Sequence, residues 1–181
     1  MLTLVTGGIR RGKSKYGLEL AAQQAGSKCF LATAQALDNE MKIRIQNHRK
    51  ERSTEFATCE EPLYLANALQ NLQSQYDLIL IDCLNMWLSN LLMEHIGKKE
   101  ENITRQIEWF LQMVKEKKTS MIFITNEVGM ALVPDNATGR WFVEELGRLN
   151  QRVAEICDEV IFMTCGIPNP IKGHIHDEMD V

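Results

Sequence analysis

The sequence predicts a single α/β domain in which a mostly parallel sheet is flanked by helices. Short apolar runs alternate with longer amphipathic stretches, which is typical of β–α units around a parallel sheet that is buried on both faces. The first apolar run, Leu2 to Val5, leads directly into a glycine-rich segment that ends in Lys13 and Ser14. A length of 181 residues fits one domain, and no linker, repeat or low-complexity tract divides it.

Strands and helices are predicted in alternation. The strands are expected at 2–6, 28–33, 77–82, 119–125 and 159–164. The helices are expected at 13–25, 38–51, 62–74, 84–95, 101–117 and 137–156. Gly166, Pro168 and Pro170 are expected to end the fold, so residues 1–170 form the predicted domain and residues 171–181 a flexible C-terminal tail.

The composition indicates a globular protein whose partners are small molecules. The chain is 45% hydrophobic and 24% charged, and its formal charge of −4 provides no electrostatic footprint for nucleic acid or an anionic membrane. No apolar stretch approaches the roughly 20 residues of a membrane-spanning helix, and the N-terminus shows no secretory leader pattern. We therefore expect a cytoplasmic protein that neither inserts into membranes nor binds nucleic acid.

The cysteine pattern indicates neither a disulfide framework nor a zinc site. Five cysteines are an odd number, and no Cys-x-x-Cys pair occurs among them. We expect reduced and mostly buried thiols at Cys29, Cys59, Cys83, Cys157 and Cys165.

A phosphate-binding loop is predicted directly after the first strand. The segment that matches the pattern G-x-x-x-x-G-K-[ST] at every fixed position consists of Gly7, Gly8, Ile9, Arg10, Arg11, Gly12, Lys13 and Ser14. Glycines let consecutive N–H groups turn toward phosphate oxygens, and the following helix adds the positive end of its dipole. Lys13 is expected to reach the outer phosphates and Ser14 to help hold Mg²⁺. The alternative is a glycine-rich turn that binds nothing.

Asp82 is a second candidate for the same site. It follows the apolar run 78–81, at the expected carboxyl end of a strand. Ligands of open α/β sheets bind beyond the carboxyl ends of the strands, so Asp82 is expected to face the crevice of the phosphate loop. Its carboxylate can hold Mg²⁺ directly or through water. Alone, an apolar run that ends in Asp would more often be a cap or a turn.

A third candidate is the predicted helix at 38–51, which carries a histidine among arginines. One stripe of this helix changes from apolar to charged along Met41, Ile45, His48 and Arg52. Neutral imidazole is available at pH 7 and can attack phosphorus. Taken alone, the segment favours the other interpretation, a surface helix with a solvated charge run and a structural histidine.

The chain resembles the bifunctional adenosylcobinamide kinase / adenosylcobinamide-phosphate guanylyltransferase family of cobalamin biosynthesis over roughly residues 2–168. The motifs in the first half of the chain are 6–14, Leu31-Ala32-Thr33-Ala34, 38–41, Arg44-Ile45, His48-Arg49, 60–63, 82–84 and 87–92. Those in the second half are Thr125-Asn126-Glu127-Val128-Gly129, Val133-Pro134, 148–152 and 165–168. The His48 segment and the 126–129 run are far more specific than the phosphate loop.

The resemblance implies a P-loop NTPase fold with a RecA-like sheet, two reactions and a homotrimer. ATP or GTP would phosphorylate adenosylcobinamide, and GMP from GTP would then pass through a covalent histidine, which His48 matches, to give adenosylcobinamide-GDP and pyrophosphate. Mg²⁺ would be required. Besides the phosphate loop, the resemblance places nucleotide contacts at Ala32, Thr33, Ala34, Arg49, Lys50, Glu51, Arg52, Glu60 and Asp82.

Several of these positions also have plain interpretations. Residues 32–34 can simply end a strand, and Glu60 can cap the helix that follows Pro62. Glu127 can orient Mg²⁺ or a reacting hydroxyl, or it can cap the loop that follows it. Arg148 and Arg152 can clamp phosphate, although a charged helix face is the more common explanation.

Two other functional classes are compatible with the phosphate loop. A kinase with a single activity on another small alcohol would need the loop and Asp82 but not His48, and it would form no covalent nucleotide. A non-catalytic nucleotide-binding subunit of an assembly would bind triphosphate without an acceptor. Turnover of GTP that depends on cobinamide would exclude both classes.

Overall fold

The computed structural model describes residues 1–36, 39, 42–43, 55–95, 101–116 and 118–173. The strands are β1 (Leu2–Gly7), β2 (Lys28–Ala32), β3 (Phe56–Glu60), β4 (Leu78–Asp82), β5 (Ser120–Ile124), β6 (Glu159–Thr164) and β7 (Ile167–Lys172). They form one seven-stranded sheet in the order β3-β2-β4-β5-β1-β6-β7. Neighbouring strands are parallel except for the antiparallel pair β6 and β7. The predicted fold class is confirmed.

Five helices lie between the strands in the described ranges. They are α1 (Lys13–Gln23), α2 (Leu65–Leu72), α3 (Leu84–Glu94), α4 (Glu101–Lys115) and α5 (Ala137–Ile156). Each coincides with a predicted helix to within three residues at either end. The predicted helix 38–51 lies almost entirely outside the described residues, and of it Asn39, Lys42 and Ile43 are helical.

Apolar side chains are buried on both faces of the sheet, as crossover helices require. On one face, helices α2 to α5 pack over a large cluster that includes Leu4, Ile81 and Phe123. On the other face, α1 covers a smaller cluster that includes Leu80 and Ile124. We call this second surface the α1 face. Successive strand residues alternate between the two faces, so the direction of a side chain at a strand end can be read from its neighbours.

Helix α3 is fixed in the core by Trp87. This side chain is fully buried, its ring centroid lies 4.9 Å from that of Phe110, and its Nε1–H donates to the Leu63 carbonyl over 2.8 Å. None of the helices in the described ranges is both long enough and apolar enough to span a bilayer.

The five cysteines, all in the described part of the chain, are free. Cys29 and Cys157 are buried, Cys59 and Cys83 are half-buried, and Cys165 is exposed. Burial raises the pKa of the Cys29 thiol to about 11, so this thiol stays protonated and unreactive at neutral pH. Burial of the thiols is therefore less complete than the sequence suggested.

Two strands were not predicted, and both are sheet edges. In β3, Phe56 is buried, Cys59 is half-buried and the other three residues are exposed, so the strand lacks the continuous apolar run of an inner strand. β7 contains Pro168 and Pro170, which an edge strand tolerates because alternate N–H groups point away from the sheet. The expectation that Gly166, Pro168 and Pro170 end the fold is therefore wrong, since β7 continues to Lys172.

The start of α2 is fixed by Glu61. Its carboxylate accepts hydrogen bonds from the backbone N–H groups of Leu63 and Tyr64, at 2.9 and 2.8 Å. These donors precede the helix and would otherwise lack a helical partner. The interpretation of Glu60 as the cap is therefore wrong, because Glu60 is the last residue of β3 and Glu61 makes these bonds.

Candidate active site

The phosphate loop follows β1 and turns back into α1 through unusual backbone angles. Gly7 has φ 142°, and a Cβ there would lie 2.6 Å from the Met163 carbonyl oxygen. Gly12, the residue before α1, has φ 84°, and Arg10 also adopts a positive φ of 58°. Glycine at 7 and 12 is thus a steric requirement of the turn. The predicted strand, loop and helix occur in the predicted order.

Lys13 is folded back over this loop. Its side chain is only 7% exposed, and Nζ donates a 2.7 Å hydrogen bond to the Gly8 carbonyl. The ammonium group is therefore held above the turn, and Ser14, half-buried, follows in the first turn of α1. Ile9, with the adjacent residues Arg10 and Arg11, is exposed at the surface of the loop.

The turn between β6 and β7 supports the phosphate loop from outside. Arg11 donates from a guanidinium N–H to Sγ of Cys165 over 3.5 Å. A Cβ added to Gly12 would lie 3.5 Å from Cα of Gly166, so the two turns are in contact. The strand β7, which the sequence did not predict, therefore belongs to the scaffold of the site.

Asp82 and Glu60 lie in one row across the carboxyl edge of the sheet. The register joins Glu60 to Ala32, Ala32 to Asp82, Asp82 to Ile124, and Ile124 to Val5. Two strand spacings, about 10 Å, thus separate Asp82 from β1 near the phosphate loop.

Asp82 points to the α1 face of the sheet. It is two residues after Leu80, whose side chain lies in the cluster beneath α1, and strand side chains alternate between faces. Asp82 is half-buried at the end of β4. The structure therefore brings the carboxylate of Asp82 to the same edge and the same face as the helix that begins with Lys13 and Ser14.

Thr33 has a structural position at this edge. Its side chain is fully buried, its hydroxyl donates to the Cys83 carbonyl, and it accepts from the Cys83 N–H, each over 2.8 Å. The Thr33 N–H also donates to the carbonyl of Asp82, and the side-chain amide of Asn90 donates to the carbonyl of Thr33. Thr33 therefore joins the ends of β2 and β4. Ala34, which follows, is half-buried.

The segment after β5 is bonded directly to the phosphate loop. The Glu127 N–H donates to the Gly7 carbonyl over 3.0 Å. Its carboxylate accepts a hydrogen bond from the Gly129 N–H over 2.8 Å. Of the two interpretations of Glu127, this bond corresponds to the cap of the following loop. The 126–129 run thus lies beside the nucleotide motif, although the sequence separates the two by more than one hundred residues.

A buried polar network fixes this segment from α5. Thr125 Oγ1 donates to Asn150 Oδ1 over 2.8 Å, and Asn150 Nδ2 donates to the Asn126 carbonyl over 3.0 Å. Thr125 is fully buried and Asn150 nearly so. Asn150 was not predicted to have this role, although a polar residue on the buried stripe of an amphipathic helix is a usable signal.

The two arginines of α5 pair with carboxylates. Arg152 makes two 2.6 Å hydrogen bonds to Glu108 of α4, and these bonds lower the pKa of Glu108 and raise that of Arg152. Arg148 bonds to Glu144 and Glu145 on its own helix. Of the two interpretations of Arg148 and Arg152, a phosphate clamp or a charged helix face, the structure shows the charged helix face.

His48, Arg49, Lys50, Glu51 and Arg52 lie outside the described residues. The described residues are continuous up to Ala36, just beyond the carboxyl end of β2, and continuous again from Glu55, just before β3.

No group of three or more His, Cys, Asp or Glu side chains in the described ranges is arranged to hold a metal. Ser14, in the first turn of α1, and Asp82, on the same edge and face of the sheet, are oxygen donors that suit Mg²⁺ when phosphate oxygens and water complete its coordination.

A groove of about 620 Å³ lies at the opposite, amino edge of the sheet. Polar and terminal residues line it: Met1, Ser27, 73–77 and 118–120. Neither the phosphate loop nor Asp82 contributes to it. We assign the active site to the carboxyl edge because the groups that can bind phosphate and metal are there.

Comparison with known proteins matches these features to one family. The family model described as cobinamide kinase / cobinamide phosphate guanyltransferase, CobU, matches residues 3–171. This chain belongs to the CobU family. A CobU-family member is an enzyme of cobalamin biosynthesis that uses nucleotide substrates for a kinase and a guanyltransferase reaction, so the resemblance inferred from the motifs is confirmed. The other two classes, a kinase with one activity and a non-catalytic subunit, are set aside.

The curated relatives carry names of the same kind. The bifunctional adenosylcobalamin biosynthesis protein CobP of Pseudomonas aeruginosa is 38% identical over 173 residues, covering 96% of this chain and 98% of that protein. The proteins named CobU from Salmonella typhimurium and Escherichia coli are 34% and 31% identical, each over 95% of this chain and 100% of their own length.

A solved structure shows the same fold outside the CobU family. An ATPase from the type III secretion system of pathogenic bacteria superposes with a TM-score of 0.55 at 10% identity. The match covers 90% of this chain and 51% of that chain, so this chain spans about half its length. At this identity the likeness concerns the fold alone.

Proposed function

We propose that both reactions of this CobU-family enzyme use one nucleotide site at the carboxyl edge of the sheet, with His48 as the covalent nucleophile of guanylyl transfer. The observation that carries the proposal is that the phosphate loop and Asp82 share one edge and one face of the sheet. The proposed nucleotide contacts are residues 7–14, 32–34, 49–52, Glu60 and Asp82. Because the Thr33 side chain is buried, Thr33 would contribute through its backbone and not through its hydroxyl.

The phosphate loop would hold the triphosphate in the kinase step. Its N–H groups and Lys13 neutralise the outer phosphates, and Lys13 exchanges its bond to the Gly8 carbonyl for a phosphate oxygen. Mg²⁺, held by Ser14 and Asp82, would supply charge neutralisation at the phosphoryl oxygens. The cobinamide hydroxyl attacks the γ-phosphorus of ATP or GTP and loses its proton, the bond to the β-phosphate oxygen breaks, and the nucleoside diphosphate leaves.

Guanylyl transfer would take place in two displacements. The neutral imidazole of His48 attacks the α-phosphorus of GTP, and pyrophosphate leaves. An oxygen of cobinamide phosphate then attacks the phosphorus of GMP-histidine, the P–N bond breaks, and free His48 is regenerated with adenosylcobinamide-GDP as product. Covalent catalysis replaces one difficult displacement by two easier ones.

Labelled GTP tests this mechanism directly. Protein is incubated with Mg²⁺ and GTP labelled at the α-phosphate, denatured, and analysed by intact mass and by the acid and alkali stability of the label. We expect an acid-labile, alkali-stable GMP adduct in the unmodified protein and in the control variant His95→Ala, and none in His48→Ala. His95 is a matched control because it is a histidine beyond the catalytic motifs, at the C-terminal end of α3.

The kinase reaction separates a chemical role of His48 from a structural one. His48→Ala is expected to retain phosphorylation of cobinamide, since the phosphate loop and Asp82 are intact. If the unmodified protein binds GTP but forms no GMP adduct, the covalent mechanism is contradicted. Loss of both reactions in His48→Ala would indicate a structural role instead.

Assembly and location complete the proposal. The family resemblance leads us to propose a cytoplasmic homotrimer whose described fold is one domain. Sedimentation velocity at several protein concentrations measures the assembly state, and a concentration-independent monomer would contradict the trimer.

A further inference from the structure

We propose that residues 128–134, the apolar loop, bind the corrin ring of the cobinamide acceptor. This inference rests on the proposed function, because it takes the phosphate loop as the place where the transferred phosphate is held. Met130, Leu132 and Val133 are 80%, 96% and 81% exposed. A single exposed apolar side chain needs no explanation, but three within four residues expose a patch of the kind that marks binding sites.

The first end of the apolar loop is tied to the phosphate loop and the core. The residue before it, Glu127, donates its N–H to the Gly7 carbonyl over 3.0 Å. Val128 packs against the large core cluster, and the Gly129 N–H is bonded to the Glu127 carboxylate over 2.8 Å. The apolar loop therefore begins beside the phosphate loop, and its side chains are exposed from Met130 onward.

The second end of the apolar loop is held against α5. Arg140 donates to the carbonyl oxygens of Pro134 and Asp135, over 3.2 and 2.9 Å. Asn136 caps α5 by accepting from the Gly139 N–H over 2.7 Å, and a Cβ at Gly139 would lie 2.7 Å from Cβ of Pro134. With both ends fixed, the exposed apolar side chains are presented by an ordered scaffold, which lowers the conformational cost of binding.

The acceptor is the occupant that best fits this position. Its hydroxyl must reach the terminal phosphate at the phosphate loop, while the bulk of the corrin has to lie outside the nucleotide site. The faces of a corrin ring are largely apolar, and its edge carries methyl and amide groups. A surface joined to the phosphate loop through Glu127 and Gly7, with apolar side chains turned to solvent, can cover one face of such a ring.

Substitution of the loop tests this site. The variant Met130→Ser/Leu132→Ser/Val133→Ser removes the apolar side chains without touching the bonds that hold the loop ends. We expect KM and the equilibrium Kd for cobinamide to rise on the order of tenfold or more. We expect kcat, KM for GTP and the yield of the GMP adduct to stay within about twofold, since the nucleotide contacts lie elsewhere.

Matched single variants separate the loop from general surface effects. Leu132→Ser is compared with Met93→Ser, which removes an apolar side chain that is 61% exposed on α3. Only Leu132→Ser should weaken cobinamide binding. Binding of cobinamide is measured by calorimetry without nucleotide turnover, so the readout does not depend on the covalent mechanism of the proposed function.

The remaining outcomes contradict the proposal in distinguishable ways. Unchanged Kd and KM for cobinamide in the triple variant would overturn it. A raised KM for GTP would assign the loop to the nucleotide base, and a smaller assembly in sedimentation velocity would assign it to contacts between copies. Failure of the proposed function would appear separately, as the absence of a GMP adduct in unmodified protein that still binds cobinamide.

Discussion

The two edges of the sheet differ in how their polar groups are satisfied. At the amino edge, Asp77 accepts hydrogen bonds from both the N–H and the hydroxyl of Ser27, each over 2.8 Å, and Thr119 donates to the Tyr76 carbonyl over 2.7 Å. At the carboxyl edge, the phosphate loop contains two glycines with positive φ, and Lys13 folds back to bond to its Gly8 carbonyl. Asp82 lies on the α1 face of the same edge.

This difference shows that shape alone does not locate the active site. The amino edge has a groove of about 620 Å³, but its polar groups bond to one another and hold the strands together. The carboxyl edge collects the groups that can neutralise a triphosphate, Lys13 and the backbone of the phosphate loop. We therefore expect substitutions at the amino edge to lower stability and substitutions at the carboxyl, catalytic edge to lower turnover.

Lys13→Met should have the largest effect on function. Removal of the ammonium group is expected to lower kcat of both reactions by about 10²- to 10³-fold, because a preorganised charge at the transferred phosphates is lost. The unfolding temperature should change little, since methionine fills a similar buried space. Steady-state turnover and thermal unfolding, with and without GTP, measure the two effects. Full activity in this variant would remove the phosphate loop from the mechanism.

Asp82→Asn and Asp77→Asn compare one carboxylate at each edge. Asp82→Asn is expected to lower activity by about 10- to 100-fold and to raise the Mg²⁺ concentration required for half-maximal rate. Asp77→Asn should leave kcat unchanged and lower the unfolding temperature, because Asp77 accepts two hydrogen bonds from Ser27. The reverse pattern, with catalysis lost at Asp77, would place the active site at the groove.

Thr33→Val tests whether a residue at the catalytic edge is structural. The substitution removes two hydrogen bonds to Cys83, so we expect the free energy of unfolding to fall by about 1–3 kcal/mol. Denaturant titration measures this loss. KM for GTP should stay within about twofold of the unmodified value. A raised KM with unchanged stability would instead make the Thr33 hydroxyl itself a nucleotide contact.

The pH dependence of stability gives the smallest effect. Hydrogen bonds from the N–H and hydroxyl of Ser27 lower the pKa of Asp77 below its ordinary value of 3.8. The stabilisation is therefore present above pH 3.8 and is lost as the pH falls through the lower pKa of the folded state. Urea titrations between pH 6 and 3 should show the stability difference from Asp77→Asn shrinking toward the acid end. A constant difference would exclude this linkage.

The inner strands and the phosphate loop could be predicted because their signals are local. Apolar runs such as 78–81 are long enough to identify buried parallel strands, and the loop motif is contiguous at 7–14. The edge strands carry no such run. In β7 the prolines were interpreted as a terminus, although an edge position removes their cost.

The supporting contacts of the site could not be predicted because they join distant parts of the chain. Thr33 bonds to Cys83, Asn150 bonds to the segment after β5, and Cys165 contacts Arg11. Each contact depends on strand order and helix packing, which local periodicity does not encode. Motif matching proposes the groups for chemistry, whereas the structure shows the groups that hold the phosphate loop and the strand ends in place.

Hydrogen–deuterium exchange with Mg²⁺ and GTP reports on both edges of the sheet at once, so it decides which edge binds the nucleotide. We expect slowed exchange of the amides at 8–14 when GTP binds and unchanged exchange at 73–77 and 118–120, with the protection at 8–14 abolished by Lys13→Met. Protection at the amino edge with none at the phosphate loop would contradict the assignment of the active site.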